Sequence, residues 1–335
     1  MSNRKDDHIE QALKQPTKTN DFDRVRFVPE ALARLDTKNI DASVEVFDWR
    51  FEHPIYINAM SGGSDRAKEM NIKLAKLAAH FNLPMASGSV SAAIKDSQWN
   101  ESFRVIRDHH PKGFILANVG LSQTLDGALK AVQLLKANAL QIHLNSAQEI
   151  VMPEGDRDFS FWEARLESML KTVPVPIVVK EVGFGMAKPS LDHFASLGVK
   201  YVDVSGRGGT NFITIENARR KYPLTHFDDF GFSTVESLLE AKTSSLTVFA
   251  SGGVRGAFDV VKALALGAKM VGLSGYFLKL VQHHSLDEAI DITDQFLKDI
   301  CLIMAILNAP NIASLREKRL IFDGPLQQFI NQRQG

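Results

Sequence analysis

The segment Leu246-Thr-Val-Phe-Ala-Ser-Gly-Gly-Val-Arg-Gly256 has the pattern of a buried strand that ends in a glycine-rich turn. An amphipathic stretch from Ala257 to Leu266 follows it, and the apolar run Lys269-Met-Val-Gly-Leu273 comes next. A short apolar run, a helical pattern and a second apolar run are typical of a parallel β-α-β unit. The segment therefore predicts an α/β protein.

The same unit repeats along the chain. Eight apolar runs predict strands: Ile55 to Met60, Pro84 to Ser89, Gly113 to Val119, Ala139 to Asn145, Pro176 to Glu181, Val199 to Ser205, Leu246 to Ser251 and Lys269 to Leu273. Helical patterns lie between them: Asp65 to Phe81, Gln123 to Lys136, Trp162 to Thr172, Leu191 to Leu197, Thr234 to Lys242 and Ala257 to Leu266. Together they predict a (β/α)₈ TIM barrel. A doubly wound open sheet is the alternative, but the G-x-G-x-x-G fingerprint expected after its first strand does not match Gly62-Gly63-Ser64-Asp65.

The segments outside these units predict additions to the barrel. We expect residues 1–50 to form an N-terminal arm that packs on the barrel, and residues 51–335 to form the barrel with its C-terminal helices. Within the arm, Val44-Glu-Val-Phe-Asp48 indicates a hairpin or a floor for the barrel. Leu286 to Leu307 and Ile312 to Lys318 have helical periodicity.

The composition excludes several classes of protein. The 39 basic residues balance the 39 acidic ones, so no overall charge attracts nucleic acid or an anionic membrane. Cys301 is the single cysteine, which excludes an intrachain disulfide and a thiolate metal cluster. The charged N-terminus lacks a signal-peptide pattern, and no apolar run is long enough to span a bilayer. These features predict a cytoplasmic protein without a membrane or nucleic-acid partner.

Polar residues follow most of the predicted strands, and a TIM barrel gathers these strand ends on one face. Two neighbouring turns, Ser251 to Gly256 and Leu273 to Tyr276, present bare glycine amides at helix starts, where a phosphate binds well, although glycine is also common in such turns for geometric reasons. Lys180 ends an apolar strand and would need an anionic or carbonyl partner in the barrel mouth, unless it snorkels to water.

The first three strand ends carry amides and hydroxyls. Asn58 to Gly63, Ser89 and Asn118 are suited to hydrogen-bond a planar heteroaromatic ring, or alternatively to cap turns and helices. Combined with the phosphate turns and Lys180, they predict a flavin mononucleotide pocket.

The fourth strand end is the richest in functional groups. Within Ala139-Leu-Gln-Ile-His-Leu-Asn-Ser-Ala-Gln-Glu149, four side chains could orient a polar ligand, hold a hard cation and handle protons: His143, Asn145, Gln148 and Glu149. The following loop, Met152 to Asp158, could be a lid, although its carboxylates Glu154 and Asp156 could equally be solvated.

Seven segments resemble those of a known family: Arg4 to His8, Asn58 to Gly63, Gln141 to Glu149, Met152 to Asp156, Val179 to Gly185, Asp203 to Asn211 and Ser251 to Arg255. They are similar to segments of the type 2 isopentenyl-diphosphate isomerases, which are FMN-dependent (β/α)₈ barrels that interconvert isopentenyl and dimethylallyl diphosphate. The resemblance covers nearly the whole chain. It departs at Ser61, where Thr is usual, at Phe230, and at Ser233, where Pro is commoner.

The resemblance implies a role for each matching residue. FMN would be bound by Ala59, Met60, Ser61, Ser89, Asn118, Lys180, Thr210, Gly253, Val254, Arg255, Ser274 and Gly275. The substrate would be bound by Arg4, Lys5, His8, His143, Asn145 and Gln148, the last three being the catalytic candidates. Glu149 would bind Mg²⁺ on the diphosphate, and NAD(P)H would serve as a further cofactor. From the residues alone, a charged pair such as Arg4-Lys5 near a terminus is usually solvated.

Two other functions use the same cofactor turns. One is an FMN-dependent 2-hydroxy-acid oxidase or dihydroorotate-type dehydrogenase, but the segment after the sixth strand offers Ser205 and Arg207 without an obvious His-Arg pair. The other is a phosphate-binding scaffold, which would not need the His143 to Glu149 cluster. The apolar helix Leu286 to Leu307 suggests assembly, which the resemblance puts at a homotetramer or homooctamer.

Overall fold

The computed structural model describes residues 6, 9–11, 13, 15, 19–59 and 62–333. Its centre is a closed barrel of eight parallel strands that follow one another in chain order, with the last strand pairing back to the first. These strands are Ile55–Ile57 (β4), Met85–Ala86 (β5), Ile115–Gly120 (β6), Ala139–Leu144 (β7), Ile177–Glu181 (β8), Tyr201–Asp203 (β9), Thr247–Ser251 (β10) and Met270–Leu273 (β11). The predicted (β/α)₈ barrel is confirmed, with each strand inside its predicted segment except at Gly120, the last residue of β6.

Helices surround the barrel. In chain order they are Asp65–Phe81 (α1), Ser91–Lys95 (α2), Asn100–His109 (α3), Leu125–Leu135 (α4), Ser146–Val151 (α5), Trp162–Thr172 (α6), Lys188–Ser196 (α7), Phe212–Asn217 (α8), Thr234–Glu240 (α9), Ala257–Ala265 (α10), Gly275–His283 (α11), Leu286–Ile306 (α12), Ile312–Arg316 (α13) and Gly324–Arg333 (α14). Side-chain caps set several of the boundaries. Ser64 accepts a hydrogen bond from the Ala67 N–H at the start of α1, and Ser233 forms a capping box with Glu236 at the start of α9. Ser233 thus begins its helix by capping it.

A hairpin closes the amino-terminal end of the barrel. It consists of Val44–Val46 (β2) and Trp49–Phe51 (β3), joined by Phe47 and Asp48, both with positive φ. Two successive residues with positive φ form a type I′ turn, which matches the twist of the flanking strands. Positive φ is energetically unfavourable for a bulky residue such as Phe47. The Phe47 ring lies 4.5 Å from the ring of Tyr201 and 5.2 Å from that of Phe114, so this segment is both a hairpin and the barrel floor.

The N-terminal segment also contacts two other parts of the chain. Val25–Phe27 (β1) pairs antiparallel with Leu320–Phe322 (β12). The Asn20 side-chain amide donates to the Gly253 carbonyl at 2.8 Å, so residues just before β1 lie against the turn that follows β10.

Candidate active site

One cavity of about 940 Å³ opens at the carboxyl ends of the barrel strands. A cavity of this size can hold a cofactor together with a small substrate. It is lined by all the described residues to which the family resemblance gives a role: Ala59, Ser89, Asn118, His143, Asn145, Gln148, Glu149, Lys180, Thr210, Gly253, Val254, Arg255, Ser274 and Gly275. Met60, Ser61, Arg4, Lys5 and His8 lie outside the described residues. The individual roles stay predictions, but the described residues share one site.

Lys180 points into the cavity wall and is paired with a buried carboxylate. Its Nζ donates to Ser205 Oγ at 2.9 Å and to the Glu181 carbonyl at 2.7 Å. It also lies 3.7 Å from Oδ2 of Asp203, whose side chain is 0% exposed. This ion pair compensates the burial of an ammonium group, which would otherwise be costly at the end of an apolar strand.

Asp203 is also the centre of a hydrogen-bonded cluster inside the barrel. It accepts from Tyr56 Oη at 2.7 Å, from Asn58 Nδ2 at 2.9 Å and from Ser251 Oγ at 2.8 Å. Burial and the Asp203 carboxylate raise the pKa of Tyr56 well above its usual value, so the phenol remains a donor. Asn58 had been predicted to face a flavin ring, but it is 1% exposed and gives its amide to protein partners instead.

The polar side chains that follow β7 have different hydrogen-bond partners. Asn145 Nδ2 donates to Glu149 Oε1 at 2.7 Å, and the Asp156 backbone N–H donates to Glu149 Oε2 at 2.9 Å. Gln148 instead donates through Nε2 to Glu216 Oε1 at 2.8 Å. Asn145 therefore orients the predicted metal ligand, and α8 orients the amide of Gln148.

Two glycine-rich loops interlock where a phosphate was predicted to bind. Gly252 has φ of 91°, and a Cβ on it would lie 2.1 Å from the Gly206 carbonyl oxygen. A Cβ on Gly209 would lie 2.8 Å from the Gly253 nitrogen. Any side chain at these positions would push the loops apart, so glycine is required by a close approach of backbone to backbone. At Gly275, by contrast, an added Cβ would meet nothing within 4 Å.

Arg255 follows one of these glycine-rich loops, and its side chain forms two ion pairs. Its guanidinium donates to Asp23 Oδ1 at 2.6 Å and to Asp259 Oδ2 at 2.9 Å. The Arg255 side chain holds the pKa of Asp23 down to about 2. The side chain thus ties the N-terminal segment to α10, and Arg255 also lines the cavity.

Glu181 shapes the loop that follows β8. Its Oε2 accepts backbone N–H groups from Val182 at 2.7 Å, Gly183 at 3.0 Å and Phe184 at 2.7 Å. Burial raises the pKa of Glu181 to about 7, although these donors favour its charged form. Since Val182 and Gly183 line the cavity, this carboxylate fixes part of the cavity wall.

Comparisons with known proteins identify the family. The family model described as FMN-dependent dehydrogenase matches residues 6–98 and 106–321. The isopentenyl-diphosphate delta-isomerase of Staphylococcus epidermidis is 46% identical over 334 residues, covering 98% of this chain and 96% of that protein. The isomerase of Staphylococcus aureus is 44% identical over the same shares of both chains. The chain belongs to the type 2 isopentenyl-diphosphate isomerase family. The resemblance read from the sequence motifs is confirmed.

Solved structures of other barrels resemble the fold of this chain. A flavocytochrome b2 mutant with pyruvate bound aligns with a TM-score of 0.71 at 21% identity, covering 94% of this chain and 82% of that chain. A mandelate oxidase mutant with an FMN adduct aligns with a TM-score of 0.64 at 16% identity, covering 95% and 92%. At this identity the likeness shows the shared barrel alone. Across the described parts of the chain, no helix has both the length and the apolar character that crossing a membrane requires.

Two acidic residues at this candidate site were not predicted from the sequence as site residues. Asp203 interrupts the apolar run of β9, and such a charge within a predicted barrel strand is a usable signal. Glu216 lies in the short helix α8, directly after Ile215, and is 0% exposed. Its contact with Gln148 spans 68 residues of sequence, and no local pattern signals it.

Proposed function

We propose that this protein interconverts isopentenyl diphosphate and dimethylallyl diphosphate, with FMN and Mg²⁺ as cofactors. The observation that carries the proposal is the single cavity that joins Lys180 and the glycine turns to the His143 to Glu149 cluster. The first half has the chemistry of a flavin mononucleotide site, and the second half that of a diphosphate and metal site. The names of relatives at 44% and 46% identity support the same reaction.

The residues present fit FMN. Glycine loops at Gly252 and Gly253 and the start of α11 suit a phosphate, while Lys180 suits the electron-rich pyrimidine edge of the ring. Reduced FMN would supply a proton donor and acceptor strong enough for an unactivated alkene, which ordinary side chains are not. The Asp203 partner would keep the Lys180 ammonium oriented toward that edge.

The residues also fit one Mg²⁺ ion. Among the described residues no group of three or more His, Cys, Asp or Glu side chains is arranged to hold a metal. Mg²⁺ is commonly held by one carboxylate with phosphate oxygens and waters. Glu149, oriented by Asn145, is suited to be that carboxylate.

The remaining side chains would position the substrate. His143 and Asn145 would contact the diphosphate, with Arg4, Lys5 and His8 closing over it. Gln148 would orient the proton path through an amide held by Glu216, whose carboxylate is paired with Arg219 at 2.7 Å. The amide itself does not titrate, so its contribution is orientation. A homotetramer or homooctamer in the cytoplasm completes the proposal.

One assay tests the reaction. The purified protein should show a flavin spectrum and should convert isopentenyl diphosphate when FMN, Mg²⁺ and NAD(P)H are supplied. NAD(P)H should be needed only to reduce the flavin, because the isomerisation has no net redox change. NAD(P)H consumed in proportion to product would contradict the isomerase and favour an oxidoreductase. Protein that binds no FMN and converts no substrate would favour a scaffold.

A further inference from the structure

A chain of amide side chains crosses the interior of the barrel from Asp203 to His143. Asn58 Nδ2 donates to Asp203 at 2.9 Å, and Gln141 Nε2 donates to Asn58 Oδ1 at 3.2 Å. Asn118 Nδ2 then donates to Gln141 Oε1 at 3.1 Å, and Asn118 Oδ1 lies 2.7 Å from His143 Nδ1. Strand register places the members side by side, since Asn118 pairs with Gln141 and Gly120 with His143.

The donor-to-acceptor direction of this amide chain is fixed at the Asn58 end by two groups, one of which can only accept a hydrogen bond and the other only donate one. The Asp203 carboxylate can only accept, so it requires the NH₂ of Asn58. The Ala59 backbone N–H can only donate, and it lies 2.8 Å from Asn58 Oδ1. These two contacts assign the Asn58 amide independently of each other.

Each following amide inherits its orientation. Because Asn58 presents Oδ1, Gln141 must present Nε2 to it, and its Oε1 then faces Asn118. Asn118 must donate through Nδ2, which leaves Oδ1 for His143. A carbonyl oxygen at 2.7 Å requires a proton on His143 Nδ1, because the other tautomer would bring two lone pairs together in this part-buried contact.

We infer that Asn58, Gln141 and Asn118 are positioning residues that fix the tautomer of His143, with the proton on Nδ1. In the neutral ring Nε2 is then an acceptor, and on protonation it becomes a donor. The ring lines the cavity, and Gly120 leaves room for it, since a Cβ there would lie 2.9 Å from Nε2. Where the proposed function holds, a protonated Nε2 is suited to donate to a diphosphate oxygen.

The first test is a measurement on the unaltered protein. In holoprotein labelled with ¹⁵N-histidine, the His143 signal is assigned as the one lost in His143→Asn, and its ring nitrogen shifts are recorded in mildly alkaline buffer. A neutral ring with the proton on Nδ1 is expected. A neutral ring with the proton on Nε2 would overturn the inference, whether or not the protein is an isomerase.

Two variants at position 141 test whether the amide chain fixes the His143 tautomer. Gln141→Met removes the acceptor that fixes Asn118, so the His143 signal should shift toward a tautomer mixture. Gln141→Glu, as a protonated carboxylic acid at this buried position, can donate to Asn58 Oδ1 and accept from Asn118 Nδ2, so it should retain the Nδ1 proton. Gln133→Met makes the same change at an exposed position of α4 and should leave the His143 signal unchanged. If the folded Gln141→Met variant kept the tautomer of the unaltered protein, the proposal that the amide chain fixes the His143 tautomer would be wrong.

Kinetics give a second readout. If the proposed reaction holds, Gln141→Met should raise KM for isopentenyl diphosphate about tenfold, which is the cost of one disturbed hydrogen bond to a charged group. In Gln141→Glu, KM should return most of the way to the value of the unaltered enzyme, and Gln133→Met should leave KM unchanged. Equal KM values in Gln141→Met and the unaltered enzyme would contradict the role in substrate binding. Absence of isomerase activity in all variants would refute the proposed function while the tautomer measurement still decides this inference.

Discussion

The buried ion pair between Lys180 and Asp203 predicts a large loss of stability in Asp203→Asn. The substitution keeps the volume but removes the charge 3.7 Å from the lysine ammonium. At that distance and an effective dielectric constant of about 20, the lost attraction is ~4 kcal/mol. This agrees with the ~3–5 kcal/mol typical of removing one member of a buried pair. Since folded proteins are stable by roughly 5–15 kcal/mol, the variant should be severely destabilised.

A surface pair provides the matched control. Lys188 and Asp192 are closer, at 2.8 Å, but their side chains are 49% and 56% exposed. Solvent screening and the loss of side-chain entropy reduce the contribution of such a pair to stability to less than ~1 kcal/mol. Asp192→Asn should therefore change the free energy of unfolding little, even though its ion pair is shorter.

The assay is denaturant unfolding of both variants and the unaltered protein, followed by circular dichroism, first without flavin and then with excess FMN. Asp203→Asn should lower the free energy of unfolding by about 4 kcal/mol without flavin, and Asp192→Asn by less than ~1 kcal/mol. Equal losses in the two variants would refute the argument that burial decides the strength of these pairs. A loss that appears only with FMN present would show that Asp203 acts on the cofactor alone.

Three further predictions concern other parts of the site. Glu149→Gln should raise the Mg²⁺ concentration needed for half-maximal turnover at least tenfold while flavin absorbance is retained; loss of flavin would mean that Glu149 is misplaced. Gln148→Leu should lower kcat by roughly a hundredfold, within the usual range for a group that positions proton transfer, and an FMN titration should show unchanged cofactor affinity. Because burial raises the pKa of Glu181 from 4.5 to about 7, its contribution to stability is complete below pH 4.5 and is lost as the pH rises through about 7. Unfolding across that window should therefore show the unaltered protein losing stability relative to Glu181→Gln as the pH rises, and parallel curves would contradict the raised pKa.

The barrel was predictable because its signals are local. Each strand is a short apolar run bounded by turn residues, and the helices α1 and α6 begin and end at the predicted residues. The boundaries that differ have local causes. Helix α7 begins at Lys188, before the predicted Leu191, because Pro189 is well suited to a first helical turn. Strand β5 covers only Met85–Ala86 of its predicted segment.

The interior of the site was less predictable because it depends on contacts between distant strands. The sequence places polar residues at strand ends, but it does not say which of them face the cavity and which bond to one another. Asn58 illustrates this, since Asp203 lies 145 residues away and takes its amide into the barrel interior. Glu216 reaches Gln148 in the same way, through helix packing that no sequence periodicity records.

The most direct test of the proposed reaction is an anaerobic incubation of the reduced flavoprotein with isopentenyl diphosphate and Mg²⁺ in deuterium oxide. The account predicts dimethylallyl diphosphate that carries deuterium from solvent, many turnovers per flavin, and a flavin spectrum that is reduced at the start and at the end. Flavin that becomes oxidised in step with product formation, or product without solvent deuterium, would contradict it.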